Sequence, residues 1–148
     1  MPEEEVIERA RKDEREGKSP STQAGEFVRE EMEHIREGEH GARSPEQAIA
    51  IGLSKARRAG VKLPPPKSGN QRTKRQAKRD LTKGRVGRRK KPSRKRSRAT
   101  KRALKRESRR SASRQALSKH AKRAAKHRSP RSRSAAAKKA ARTRKRRQ

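Results

Sequence analysis

Two carboxylate–imidazole pairs stand at helical spacing in the first third of the chain, Glu31-x-x-His34 and Glu37-x-x-His40. Residues three apart share a helix face, so each pair offers one oxygen and one nitrogen to a metal ion, the spacing found in di-iron helical bundles. That chemistry needs each pair on its own helix, with two further inward carboxylates. Here both pairs lie in or just after one helix, on what reads as its polar side, and Gly38 interrupts the second. The sequence therefore predicts no metal site. Other catalytic patterns are missing as well. The serines lack a nucleophile elbow, and the two aspartates, Asp13 and Asp80, fall in polar stretches that read as flexible. There is no phosphate-cradling glycine loop and no dinucleotide fingerprint, and the chain has no cysteine. His120 and His127 have no carboxylate neighbours in sequence. The reading is of a non-enzyme with no cofactor and no small-molecule substrate.

The chemistry that the sequence does supply is positive charge. The chain has 49 Lys+Arg against 16 Asp+Glu. Residues 67–148 hold 37 of those bases and only two acids, Asp80 and Glu107, for a net +35, whereas residues 1–66 hold 12 bases and 14 acids. A block of like charge this dense is the signature of an arm that meets a polyanion, and nucleic acid is the abundant one. Candidate phosphate contacts are Arg57 and Arg58 before the block, then Lys83, Arg85, Arg88, Arg89, Lys90, Lys91, Arg94, Lys95, Arg96, Lys101, Arg102, Lys105 and Arg106. They continue with Lys119, Lys122, Arg123, Arg131, Lys138, Lys139, Arg142, Arg144, Lys145, Arg146 and Arg147. Duplex DNA carries one charge per roughly 1.7 Å, so 37 cations match about 18 base pairs. Contact with even about ten phosphates gives a slope of log K against log salt of about −9.

The elements that must carry these residues are helical. Residues 1–18 read as a short charged helix: Pro2 suits a first turn, Glu3 to Glu5 complement the positive helix end, and Gly17 is a stop. With only Val6, Ile7 and Ala10 as apolar content, it is expected to fray rather than dock. Residues 19–63 read as a helical hairpin. Ala24, Phe27, Val28, Met32 and Ile35 form one stripe ending at Gly38. Ser44-Pro45-x-Gln47 then opens a second helix carrying Ile49, Leu53 and Ala56, which closes at Gly60. So few large apolar side chains leave such a hairpin marginal alone, to be stabilised by self-association or a partner. Residues 64–76, beginning with three prolines, read as a stiff and then polar linker.

The segment GEFVREEMEHIREGEHGARSPEQAIAIGLSKARRAGVKLPP, residues 25–65, resembles the shared core of a bacterial family of small basic proteins of unknown function. The run HGARSPEQAIAIGLSKARRAG is its most specific part. The resemblance implies a bacterial cytoplasmic protein and brings no catalytic residue with it.

Residues 77–148 are expected to be a disordered tail. Four large apolar residues, Leu81, Val86, Leu104 and Leu117, and no aromatic cannot offset the entropy of ordering it. Residues 83–92 have the Gly and Arg content of minor-groove arms without an AT-hook core. Residues 113–126 read as a latent helix that forms when phosphates neutralise it. Ser129–Ser132 and Ala135–Arg142 resemble the tails of linker histones and bacterial histone-like proteins. The fold expectation is thus mainly α, a small hairpin with a short N-terminal helix ahead of a long disordered basic tail. The functional expectation is a sequence-tolerant, nucleoid-associated DNA-binding protein located in the cytoplasm and nucleoid. The alternatives are an RNA- or ribosome-associated protein, and an adaptor whose helical head docks a partner protein. DNA ranks before RNA as the partner, self-association through the hairpin is expected, and no run is apolar enough for a membrane.

Overall fold

The computed structural model describes residues 2–87 and 91–147, and among these the regular structure is helical throughout. Seven α-helices follow one another: α1 (Glu4–Arg15), α2 (Pro20–Glu37), α3 (Pro45–Arg58), α4 (Gln71–Val86), α5 (Arg94–Arg106), α6 (Arg114–Lys126) and α7 (Pro130–Arg146). A short 3-10 turn, Arg109–Ala112, follows α5. The chain divides into two compact units, Met1–Ser113 and Arg114–Gln148.

In the first unit, α2 and α3 pack against each other, α1 lies on α2, and α4 lies on α3. Local chemistry sets the helix ends. Ser19 precedes Pro20 and its hydroxyl accepts from the Thr22 N–H, while Ser44 precedes Pro45 and accepts from the Gln47 N–H at 3.2 Å. Gln47 reaches back one residue beyond the cap, its Oε1 accepting from the Arg43 N–H at 2.7 Å, so the side chains of Ser44 and Gln47 each satisfy a backbone donor at the start of α3. Gly38 closes α2 in a left-handed conformation.

The core is small: Val6, Ala10, Ala24, Phe27, Ala56 and Val61 are buried together, with Ile7, Leu53, Ala59 and Leu63 packed against them. The first helix is therefore docked, contrary to the fraying expected from its composition. Val6 and Ala10 stand four apart on one face and suffice to enter the core. Polar ties hold the rest of α1: the Glu3 N–H donates to Glu30 at 2.6 Å, and Arg9 Nε lies 3.1 Å from Glu26. At its far end Lys18 sits 2.6 Å from Asp13 and 2.7 Å from Glu16. Hydrogen bonding and charge from Lys18 hold the Glu16 carboxyl below its ordinary value, and the same two acids raise Lys18.

The larger correction concerns the basic half. Among the described residues there is no long disordered tail, because four helices, α4 to α7, run through residues expected to lack structure. In α4, Ala77 and Asp80 are buried against α3. Asp80, expected in a flexible stretch, accepts from Ser54 Oγ at 2.7 Å, Arg58 Nε at 2.8 Å and Gln76 Nε2 at 3.1 Å. Gly84 allows α4 to come this close, since a Cβ there would overlap the Arg57 carbonyl.

The last turn of α5 and the segment after it are stitched to the hairpin loop by main chain. The Gly41 N–H donates to the Leu104 carbonyl at 2.8 Å and the Ala42 N–H to that of Ser108 at 3.1 Å, while Arg36 Nε donates to the Ala112 carbonyl at 3.0 Å. A Cβ on Gly41 would overlap the Glu107 carbonyl. The physical reason for the correction is that docking here uses alanine, glycine and one buried acid rather than large apolar side chains. Helix periodicity then carries the cations to the outer face, so burial does not require burying charge.

The second unit has no buried residue in α6 or α7. Its helicity is local. Ser129 caps α7 by accepting from the Ser132 N–H at 3.2 Å, Pro130 fills the first position, and Ala, Arg and Lys, all strong helix formers, make up most of the rest.

Candidate nucleic-acid interface

The helices sort the predicted cations into stripes. On α4, Arg72, Arg75, Arg79 and Lys83 recur at i, i+3, i+7 and i+11 and are all exposed, beside the face that buries Ala77 and Asp80. On α5, Arg94, Lys95, Arg98, Lys101, Arg102, Lys105 and Arg106 share one broad face. Thr100 and Leu104 turn the other way, toward Ala50 and Ile51 of α3 across a shallow groove.

On α6, Lys119, Lys122, Arg123 and Lys126 recur at i, i+3, i+4 and i+7, with Leu117, Ala121 and Ala124 behind them. On α7, Arg131, Lys138, Arg142 and Lys145 form a line flanked by Lys139 and Arg146, while Arg133 and Arg144 project from the opposite side. The predicted cations Arg85, Lys91, Arg96 and Arg147 are exposed outside these stripes. Arg88, Arg89 and Lys90 lie outside the described residues.

Two predicted phosphate contacts, Arg57 and Arg58, are placed differently, whereas Phe27 is in the core as its place on the apolar stripe implied. Arg57 is buried and turned inward, its Nε donating to the Leu63 carbonyl at 3.1 Å and its Nη2 to that of Pro64 at 3.2 Å. Burial pushes its guanidinium below the ordinary arginine value, against the opposing pull of the Asp80 carboxylate. Arg57 thus fastens the proline run to α3 and is withdrawn from any phosphate surface. Arg58 is half exposed but spends its Nε on Asp80. Phe27 is only 1% exposed, so the one aromatic of the chain offers no surface for stacking a base.

Sequence reasoning also missed Arg72 and Arg75, which it assigned to a polar linker, and Arg79, Arg98 and Lys126. Their recurrence at three and four residues was the available signal.

The polar side of α2 is likewise not what the sequence predicted. Glu31 is fully buried, and it converges with His34 and His40, whose possible ligand atoms all lie within 4.8 Å of one another. Glu37 is exposed and takes no part. Lys55 Nζ lies 2.6 Å from Glu31 Oε2, and His40 Nε2 lies 2.9 Å from Glu31 Oε1.

Residues 17–67, covering α2, α3 and the proline run, match the model of a family described as "Family of unknown function (DUF6496)". That is about a third of the chain, and it includes none of the basic helices α4 to α7. No curated protein and no solved structure is similar to the chain. No helix among the described residues is long and apolar enough to cross a membrane.

Proposed function

We propose that this is a bacterial, histone-like nucleoid-associated protein that binds duplex DNA without regard to sequence. The observation that carries the reading is the placement of charge: four successive helices each present a stripe of Lys and Arg, and of the two acids in this half one, Asp80, is buried.

An α-helix fits the major groove, which is about 12 Å wide, and Lys and Arg spaced along it meet phosphates rather than discriminating base edges. Stripes on several helices let one molecule engage two duplexes and bridge them. A duplex is favoured over single-stranded RNA because stacking platforms need exposed aromatics, and the chain's one aromatic is buried. The segment matched by the family model then serves as the scaffold on which α4 and the turn after α5 are seated, and as the surface for self-association.

Competition tests the reading. Full-length protein bound to a fluorescent duplex of about 18 base pairs is challenged at one fixed KCl concentration with unlabelled duplexes of unrelated sequence and with a structured RNA hairpin. The duplexes should compete equally and at least as well as the RNA. An RNA that wins by more than about tenfold, a difference of 1.4 kcal/mol, would move the function to RNA.

A further inference from the structure

The structure carries a second chemical centre at the C-terminal end of α2. Glu31 and His34 lie three apart on one face of that helix, and Gly38, at φ 87°, reverses the chain so that His40 folds back toward them. Both ring nitrogens of His40 face oxygen: Nδ1 is 3.0 Å from the Gly41 carbonyl and Nε2 is 2.9 Å from Glu31 Oε1. A neutral imidazole has one N–H, so whichever tautomer it adopts, one of these short contacts sets a lone pair against a lone pair.

The conflict is removed by a second ring proton shared with Glu31 or by a metal ion in its place. With Nδ1–H donating to the Gly41 carbonyl, Nε2 is free to ligate, which is the arrangement metal-bound histidines adopt when a backbone carbonyl fixes the ring.

The surroundings agree in charge. Glu31 is fully buried, with Lys55 Nζ 2.6 Å from its Oε2 and His40 Nε2 2.9 Å from its Oε1, and Lys55 makes a longer contact, 3.8 Å, with Glu30 Oε2. Glu3 and Glu39 approach the two ring nitrogens of His34 at 3.7 and 3.8 Å. Four carboxylates, Glu3, Glu30, Glu31 and Glu39, therefore stand around two imidazoles and the Lys55 ammonium, with the Arg109 guanidinium against Gly38 as the other nearby cation.

We propose that Glu31, His34 and His40 bind a divalent transition-metal ion of the zinc class, with Glu31 Oε1 and an imidazole nitrogen from each histidine as ligands. Lys55 retains the other oxygen of Glu31, and Glu3 or Glu39 supplies either the fourth ligand or a partner for the remaining nitrogen of His34. One carboxylate and two imidazoles are an N/O set that zinc, cobalt and nickel accept. Ligands about 2.1 Å from a tetrahedral zinc stand roughly 3.4 Å apart, so Glu31 Oε1 and His40 Nε2, 2.9 Å apart, open by about 0.5 Å while the His34 ring, within 4.8 Å of both, closes on them. This centre lies beside Gly41 and Ala42, whose N–H groups hold the last turn of α5 and the segment after it.

The test uses full-length protein stripped with a chelator and titrated with Zn²⁺ against a chromophoric chelator, and with Co²⁺ to read coordination from its visible spectrum. One equivalent should bind, with the intense absorption of a four-coordinate nitrogen and oxygen site. His40→Ala and His34→Ala should each weaken Zn²⁺ binding by more than about 100-fold, beyond the 10- to 100-fold that loss of an outer partner causes. The His120→Ala/His127→Ala double variant should bind as the parent does. Circular dichroism separates loss of the site from loss of the fold, and where Glu31→Gln unfolds the chain, the two histidine variants still decide. Absence of saturable uptake, which leaves an imidazolium–carboxylate pair only, would overturn the proposal. So would one-equivalent binding that survives in both histidine variants.

Discussion

Helices α4 and α7 are both basic and both capped by a polar side chain, yet only α4 is anchored by tertiary contacts. Asn70 accepts from the Arg72 N–H at the start of α4, as Ser129 does from Ser132 at the start of α7. What α4 has and α7 lacks is an inner face: Ala77, Asp80 and Gly84 lie on α3, whereas every described residue of α7 is exposed. One acid and one glycine thus turn a polycationic segment into a packed helix. Without them, α7 depends on alanine propensity and its cap. Charge does a different job in each: Asp80 secures structure, while the stripe on α7 remains for a polyanion.

Three variants bear on this contrast. The largest effect is expected from Asp80→Ala, which strips Ser54, Arg58 and Gln76 of their shared acceptor. Because Arg58 stays half exposed, the predicted loss is about 2–4 kcal/mol, at or below the usual range for a broken buried pair, read from the urea midpoint. An unchanged midpoint would mean that α4 does not hold to α3 through this carboxylate.

Next is Gly84→Val, which drives a side chain into the Arg57 carbonyl and should cost about 1–3 kcal/mol through displacement of α4. Valine is a better helix former than glycine, so a stability that rises or stays level would show that close approach to α3 does not constrain this position. The smallest change in stability belongs to Lys138→Gln, Arg142→Gln and Lys145→Gln combined, at under about 0.5 kcal/mol. The same triple variant should make the salt slope of DNA binding shallower by about 3. A slope that stays the same would remove α7 from the interface.

Much of the first unit was legible in sequence because helix ends announce themselves locally: Ser44-Pro45-x-Gln47 caps α3, and Gly38 ends α2. Two things were hidden for identifiable reasons. Glu31 stands four residues from both Phe27 and Ile35, so it lies on the buried stripe, but its charge suggested a solvated face. The folding of the basic half was hidden because counting large apolar residues misses contacts made through alanine, glycine and main chain. The isolated acid at Asp80, alone among cations, was the signal that this segment meets something basic, which is Arg58. The cation stripes were readable from periodicity alone once the segment was taken as helix.

The central claim is that this charge array binds duplex phosphates through release of counterions. Its most direct test is the affinity of the full-length protein for one duplex of about 18 base pairs, measured across a KCl series. The account predicts a straight fall of log K against log salt with a slope of about −9 or steeper. A slope near zero, or no binding at the lowest salt, would contradict it.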